Sequence, residues 1–276
     1  MQSKNPIFRD MEKQPGFAYN EGVNAYQAAG AGTATLEQPG GPTVGIPAAG
    51  RPMTIDDVVT KTAMAFVVLV IGAGIGWVLT PSMPWLPFAA LIAGLVIFFV
   101  GAFRKPPKAA TVLAYSFAEG VLLGGISLIY QRYVEASGSE ANIVSQAILG
   151  TLVAFAVMLM LYRTRIIKVN GTFMKVMMVA MVSYLVIALV SLVAALFGVG
   201  GGWGFYGVGG LGLLLCVAGV ALAAFTLNLD FAAIEQGINE GLPAVYAWRM
   251  AFGLVVTLVW LYLEILRFLA ILNSNN

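Results

Sequence analysis

Residues 221–270 decide the fold: ALAAFTLNLDFAAIEQGINEGLPAVYAWRMAFGLVVTLVWLYLEILRFLA. The stretch contains two long apolar segments, and each carries a carboxylate inside it, Asp230 in the first and Glu264 in the second. A charged side chain at mid-bilayer depth costs about 2.5–3.5 kcal/mol on insertion scales, so an acid kept there is a functional candidate by default. Asp230 and Glu264 are therefore the first candidate functional residues.

The apolar character extends over the whole chain. Of its 276 residues, 59% are hydrophobic and 10% are charged, and the mean hydropathy is +0.87. A soluble domain carries about 25% charged residues. We therefore expect an all-α polytopic membrane protein, a helical bundle whose main solvent is the lipid bilayer. The net charge of +2 is too small to indicate a nucleic-acid partner.

The missing residue types exclude several chemistries. The chain has no histidine and a single cysteine, Cys216, so a Ser–His pair, an internal disulfide and a thiolate zinc site are excluded. Asp230 is the one aspartate that we place at depth, which argues against an intramembrane di-aspartyl protease. We expect no catalytic residue, no enzymatic activity and no cofactor. The remaining chemistry is the movement or gating of cations or protons, with any pH response coming from carboxylates.

The chain divides into two parts. Residues 1–52 are polar, of low complexity and rich in Gly, Pro, Ala and Gln, and they predict a disordered cytoplasmic tail. The tail begins without the apolar region of a secretory signal. Residues 53–276 form the predicted membrane domain, and Thr54 before Asp56 and Asp57 suits a helix N-cap with acids in the first turn.

Roughly 20 apolar residues cross the hydrocarbon core, and this rule predicts about seven spans. They run approximately over 62–80, 84–103, 109–130, 143–162, 173–197, 205–229 and 246–272. Basic residues cluster before the first span and in the second and fourth connections: Arg51, Lys61, Arg104, Lys105, Lys108, Arg163, Arg165, Lys168 and Lys175. The positive-inside rule then places the N-terminus in the cytoplasm. We expect the protein to lie in the cell (inner, cytoplasmic) membrane. Seven spans leave the C-terminus outside, whereas six would return it to the cytoplasm.

Small and aromatic residues predict how the helices approach. GAGIG at 72–76 and Gly120-x-x-x-Gly124 offer small surfaces on which membrane helices pack closely. Trp203 and Tyr206, in a glycine-rich outer turn, are expected to lie at the membrane interface as aromatic anchors.

Further polar residues extend the set of candidates. Glu119, about ten residues into the third span, shares a helical face with Tyr115 and Ser116, so either hydroxyl is a candidate hydrogen-bond donor to its carboxyl group. Arg267 follows Glu264 by three residues, which also fits a local ion pair. Each acid has a structural alternative: Glu119 as an interhelical hydrogen-bond donor, and Asp230 as an interfacial residue. The candidate pore-lining residues are Thr257, Tyr115 and Gln146, and further hydrogen bonds are open to Thr151 and Tyr184.

Three segments resemble one known family. AYSFAEGVLLGGIS at 114–127, LNLDFAAIEQG at 227–237 and WLYLEILRFLAIL at 260–272 are similar to the Bax inhibitor-1 (transmembrane Bax inhibitor motif, TMBIM) family, and more closely to its bacterial YccA-like branch. The resemblance covers roughly residues 54–272. It implies a seven-helix calcium leak channel controlled by pH, in which two aspartates of the sixth and seventh spans share a proton and gate the pore.

The resemblance implies Asp230 as the first member of that pair. The second member is open: one alignment gives Glu264, another gives Thr257 with Arg267 kept as the family's arginine, and Glu119 is a third choice. Calcium would bind Asp230 and Glu264 transiently, as cargo. A different class of function is also open, an interaction protein that modulates a membrane protease or another quality-control partner through residues 1–52. The oligomeric state is not indicated.

Overall fold

The computed structural model describes residues 51–104, 106–207 and 209–274. These residues form seven α-helices: α1 (Ile55–Leu79), α2 (Leu86–Phe103), α3 (Ala109–Ala136), α4 (Ile143–Arg163), α5 (Gly171–Leu196), α6 (Gly209–Asn239) and α7 (Ala247–Ser274). All seven are long and apolar enough to cross a membrane. The predicted all-α bundle with seven spans is confirmed.

Two helix boundaries differ most from those predicted. Helix α1 begins at Ile55, seven residues before the predicted span, because the Thr54 side chain accepts a hydrogen bond from the Asp57 amide while Asp57 accepts one from the Thr54 amide. The predicted N-cap is thus confirmed. Helix α6 continues to Asn239, ten residues past the predicted end of the span at 229. Asp230 therefore lies nine residues inside a helix and not at its end.

Alternation of the seven spans puts the start of α1 on the same side as three connections, 104–108, 164–170 and 240–246. We call this side the basic end, because the cluster of basic residues seen in the sequence falls mainly on it. The opposite end carries the α5–α6 connection, which contains two short 3₁₀ turns, Val199–Gly202 and Gly204–Gly207.

Helices α1 and α3 pack through reciprocal glycines. A Cβ added at Gly72 would lie 2.5 Å from the Phe117 carbonyl oxygen, and one at Gly120 would clash with the Leu69 carbonyl. Gly76 and Gly124 meet the backbone of the facing helix in the same way. Only glycine permits so close an approach of two helix backbones. The predicted glycine contacts are confirmed.

The helices contribute unequally to the interior. In α3, 72% of the most apolar stretch is buried inside the protein, whereas in α5 the share is 11%. Helix α7 contacts α1, α3, α4 and α6, and its packing against α6 is the most extensive of these. The long seam between α6 and α7 carries two of the acids that the sequence singled out.

The predicted disordered tail lies, for residues 1–50, outside the described residues. Its last two residues, Arg51 and Pro52, are described and lie against the α6–α7 turn. The Ala244 amide donates a hydrogen bond to the Arg51 carbonyl at 2.9 Å, and Pro52 pairs with Pro243 in a short antiparallel bridge. The start of the domain is therefore joined to the turn before α7.

Candidate functional site

The Asp230 carboxyl of α6 lies against Gly253 of α7, where the helix has no side chain. A Cβ added at Gly253 would lie 3.3 Å from its Oδ1 atom, and the Thr257 side chain is a hydrogen-bonding neighbour of the carboxyl group. The other oxygen, Oδ2, is buried and has no hydrogen-bond partner among the described residues. The absence of a side chain at Gly253 provides the space that the Asp230 carboxyl occupies.

An unpaired buried carboxyl oxygen is uncommon, because buried polar atoms usually have a partner in the protein or in ordered water. Three further buried polar atoms share this condition in the part of the chain that the structure describes: both amide atoms of Asn228 and the hydroxyl of Thr62. Leaving such a group unpaired costs about 1–3 kcal/mol. The Asp230 carboxyl can recover this cost by holding a proton, a water molecule or a cation.

Glu264 of α7 has a different environment, since both of its oxygens are hydrogen-bonded. Its side chain is 4% exposed. The Oε1 atom accepts hydrogen bonds from the Tyr184 hydroxyl at 2.7 Å and from the Trp260 indole at 3.1 Å. Arg267 Nη1 lies 3.2 Å from Oε2. The local ion pair expected from the spacing of Glu264 and Arg267 is confirmed, and so is the hydrogen bond from Tyr184.

A second layer of aromatic residues supports this ion pair. The Tyr206 hydroxyl donates to the Tyr184 hydroxyl at 2.9 Å, and the Arg267 guanidinium lies 4.4 Å from the centre of the Tyr206 ring. Burial raises the pKa of Tyr206 above its ordinary value, so its hydroxyl keeps the proton that it donates. The prediction of Tyr206 as an interfacial anchor is wrong, because the residue is buried in the network around Glu264.

Glu264 also depends on a glycine that the sequence analysis missed. A Cβ added at Gly219 of α6 would lie 2.7 Å from Glu264 Oε2 and 2.5 Å from the Tyr184 hydroxyl. Trp260 was missed as well, although its spacing of four residues from Glu264 places both side chains on one helical face. Gly219 could not be singled out among 32 glycines, because its role depends on how α6 and α7 are aligned.

Glu119 of α3 is buried against a different helix. A Cβ added at Gly94 of α2 would lie 2.9 Å from Glu119 Oε1. Tyr115 is the hydrogen-bonding neighbour of the carboxyl group, as its position one turn earlier predicted. Ser116, the alternative partner, instead donates to the Val112 carbonyl at 3.0 Å. The Tyr115 ring packs edge-on against Phe252 of α7, with ring centres 5.0 Å apart.

The structure thus groups the candidate residues in three pairs: Asp230 with Thr257, Glu264 with Arg267, and Glu119 with Tyr115. Gly219, which contacts Glu264, precedes Asp230 by eleven residues in α6, which at 1.5 Å per residue is about 16 Å along the helix. Asp230 and Glu264 therefore lie at different depths. The residue of α7 beside Asp230 is Thr257, as in the second of the two alignments considered above.

Gln146 is the candidate that the structure separates from the others, since it is exposed in the first turn of α4. Thr151, also in α4, donates its hydroxyl hydrogen to the Ala147 carbonyl at 2.8 Å. Neither residue joins the three pairs described above.

The described residues contain no group of three or more His, Cys, Asp or Glu side chains that could hold a metal ion. The oxygens suited to a hard cation at the α6–α7 seam are those of Asp230 and Thr257. Such a sparse set of ligands suits brief contact with a passing ion, whereas a resident calcium ion takes six to eight oxygens.

A bundle of seven apolar helices with buried or half-buried acids on three of them defines a polytopic membrane protein of the helical class. The chain matches the sequence profile of the family described as Bax inhibitor 1 like over residues 5–274. It therefore belongs to the Bax inhibitor 1-like family, and the resemblance seen in the three motifs is confirmed at the level of the family. A comparison with curated proteins gives no match. The assignment to the YccA-like branch stays a prediction.

Proposed function

We propose that this protein is a pH-sensitive cation leak channel of the cell membrane, with calcium as its cargo and Asp230 as the residue that titrates. One observation carries the proposal: Asp230 is half-buried in the α6–α7 seam, and its Oδ2 atom is buried without a hydrogen-bond partner among the described residues. Placing an ionisable side chain inside a membrane segment costs free energy. Such residues are therefore rare, and they mark ion and proton pathways.

The chemistry follows from the two forms of this carboxyl group. When protonated, Asp230 is neutral and offers a passing cation only weak dipoles. When ionised, it adds a full negative charge beside the Thr257 hydroxyl, and these oxygens attract a hard cation. Ionisation increases as pH rises, so cation flux is expected to increase with pH and to fall in acid.

The Glu264 network has a supporting role in this proposal. Its partners come from α5 and α7 and it rests on Gly219 of α6, so it holds three helices together toward the opposite end. Because Arg267 neutralises Glu264, the pair adds little net charge to the seam. Asp230 is then the acid of the seam that is free to respond to pH. We place the basic end in the cytoplasm, as the positive-inside rule predicts.

The test is calcium uptake into liposomes that carry the purified protein, measured between about pH 5.5 and about pH 8, a range that buried carboxyl groups can reach. We expect Asp230→Asn to lower the calcium flux at about pH 8 about tenfold, equivalent to about 1.4 kcal/mol. We also expect it to remove the dependence of the flux on pH. Asp56→Asn is the matched control, because Asp56 is an exposed acid in the first turn of α1.

One outcome would contradict the channel, and another would contradict the role of Asp230 in it. Flux no greater than that of empty liposomes at every pH would exclude it and favour the interaction protein, whose activity in cells would need residues 1–52 and survive Asp230→Asn. A pH-dependent flux that Asp230→Asn leaves unchanged would keep the channel but remove Asp230 from its gate.

A further inference from the structure

The segment before α1 is hydrogen-bonded to the turn between α6 and α7. The Met53 amide donates to the Leu242 carbonyl at 2.7 Å, and the Ala244 amide donates to the Arg51 carbonyl at 2.9 Å. Pro52 and Pro243 lie opposite each other between these two bonds. In an antiparallel pair this is a position without hydrogen bonds, so proline, which has no N–H, fits both sides.

Charged side chains fix the same segment from α1. Two nitrogens of Arg51 contact the two oxygens of Asp57 at 2.6 and 2.9 Å, and Asp57 also completes the capping box with Thr54. One turn later, Lys61 Nζ donates to the Ala244 carbonyl at 2.5 Å. Side chains in the first two helical turns of α1 therefore bind both the segment before α1 and the connection between α6 and α7.

The Met53 side chain fills the space between α6 and α7 at the basic end. It is 2% exposed, and a Cβ added at Gly237 of α6 would lie 2.9 Å from its terminal carbon and 3.1 Å from that of Met250. Gly237 follows Asp230 by seven residues, or about two turns, so both lie on one face of α6. Met53 thus lies between Asp230 and the basic end, along the same seam.

We propose that residues 51–54 act as a strap that closes the basic end of the α6–α7 seam, with the Met53 side chain blocking access to Asp230. The proposal rests on the function proposed above, because the strap regulates flux only if ions pass Asp230. Its physical basis is separate, since it predicts when water reaches the seam whether or not an ion follows. Loss of the two backbone hydrogen bonds would release Met53 and open the seam.

The first experiment measures access directly. Gly253→Cys, in a Cys216→Ser background, places a thiol beside Asp230, and its labelling by a polar thiol reagent is followed in reconstituted protein. We expect Met53→Ala to speed labelling at least about fivefold, the effect of opening the site by about 1 kcal/mol. Met53→Leu keeps the side-chain volume and is the matched control. Equal labelling rates in the protein that keeps Met53 and in Met53→Ala would overturn the strap.

The second experiment keeps the strap in place covalently, which guards against a Met53→Ala protein that folds poorly. Pro52→Cys with Pro243→Cys, again in the Cys216→Ser background, joins two positions about 4.5 Å apart in such a pair, within reach of a disulfide. We expect the oxidised protein to show reduced calcium flux and reduction to restore it, while each single cysteine variant is insensitive to oxidation. In a protein that conducts calcium, a disulfide that forms without changing the flux would overturn the strap.

The two proposals fail in different ways. If neither form conducts calcium but Met53→Ala still speeds labelling, the channel is excluded and the strap stands as a device that controls access to Asp230. If calcium flux depends on pH but is the same with the strap free or joined, the channel stands and the strap is excluded.

Discussion

The α6–α7 seam holds two acids in opposite conditions. Toward the end of the bundle that carries the α5–α6 connection, Glu264 has a hydrogen-bonded partner for each oxygen, a neighbouring arginine and a close glycine contact. Toward the basic end, Asp230 has a hydroxyl neighbour and one oxygen without a partner among residues 51–104, 106–207 and 209–274. Glu264 is buried, and Asp230 is half-buried with a buried Oδ2 atom. We infer from their different numbers of partners that Glu264 is the structural acid and Asp230 the responsive one.

Because the two acids differ in their partners, protonation has a different effect at each of them. Protonating Glu264 would weaken the ion pair with Arg267 and the hydrogen bonds that tie α5 to α7. Protonating Asp230 breaks no ion pair and removes an uncompensated charge from a membrane segment. Glu264 is therefore expected to serve stability, and Asp230 to serve the response to pH.

The largest effect is expected on stability. Glu264→Gln should lower the free energy of unfolding by about 2 kcal/mol, below the 3–5 kcal/mol of a fully buried pair, because the Arg267 side chain is 26% exposed. Asp230→Asn should change it by less than about 0.6 kcal/mol, the average worth of a hydrogen bond between membrane helices. Unfolding by dodecyl sulfate in mixed micelles measures both.

A double variant controls for the loss of charge. Glu264→Gln with Arg267→Met removes both members of the pair, and we expect it to be more stable than Glu264→Gln alone, since no buried charge is left without its partner. Equal losses of stability for Asp230→Asn and Glu264→Gln would contradict the distinction between the two acids.

The next effect is expected at the two glycines that receive these acids. Gly219→Ala places a Cβ 2.5 Å from the Tyr184 hydroxyl and 2.7 Å from Glu264, and such overpacking costs about 1–3 kcal/mol. Gly253→Ala meets Asp230 at 3.3 Å, and the higher helix propensity of alanine, about 1 kcal/mol, offsets this contact. Thermal unfolding in detergent should show a loss for the first variant and little change for the second. A loss confined to Gly253→Ala would reverse the comparison.

Much of the fold could be predicted from single residues and their spacing. Runs of apolar residues predict the seven helices, Thr54 predicts the start of α1, and the glycines of α1 and α3 predict their contact. The end of α6 could not be read in this way, because residues 230–239 are polar enough to resemble a helix end and yet continue the helix. The length of an apolar run indicates the part of a helix that crosses the bilayer. The full length of the helix also depends on how its residues pack beyond that run.

The site could be predicted in part. Composition and depth single out Asp230, Glu264 and Glu119, and local spacing links Glu264 with Arg267 and Glu119 with Tyr115. The pairing of Asp230 with Thr257, the contact of Glu264 with Gly219 and the position of Met53 depend on the alignment of separate helices. One sequence contains no information on that alignment beyond the faces that its helices bury.

The proposed function depends most directly on a change in the protonation state of Asp230 with pH. Infrared difference spectroscopy of the reconstituted protein between acid and neutral pH detects the carbonyl band of a protonated carboxylic acid. We predict that this band is present in the unmodified protein and in Glu264→Gln, and absent in Asp230→Asn, with Glu119→Gln reporting on the third buried acid. A band that persists in Asp230→Asn and disappears in Glu264→Gln would contradict the account.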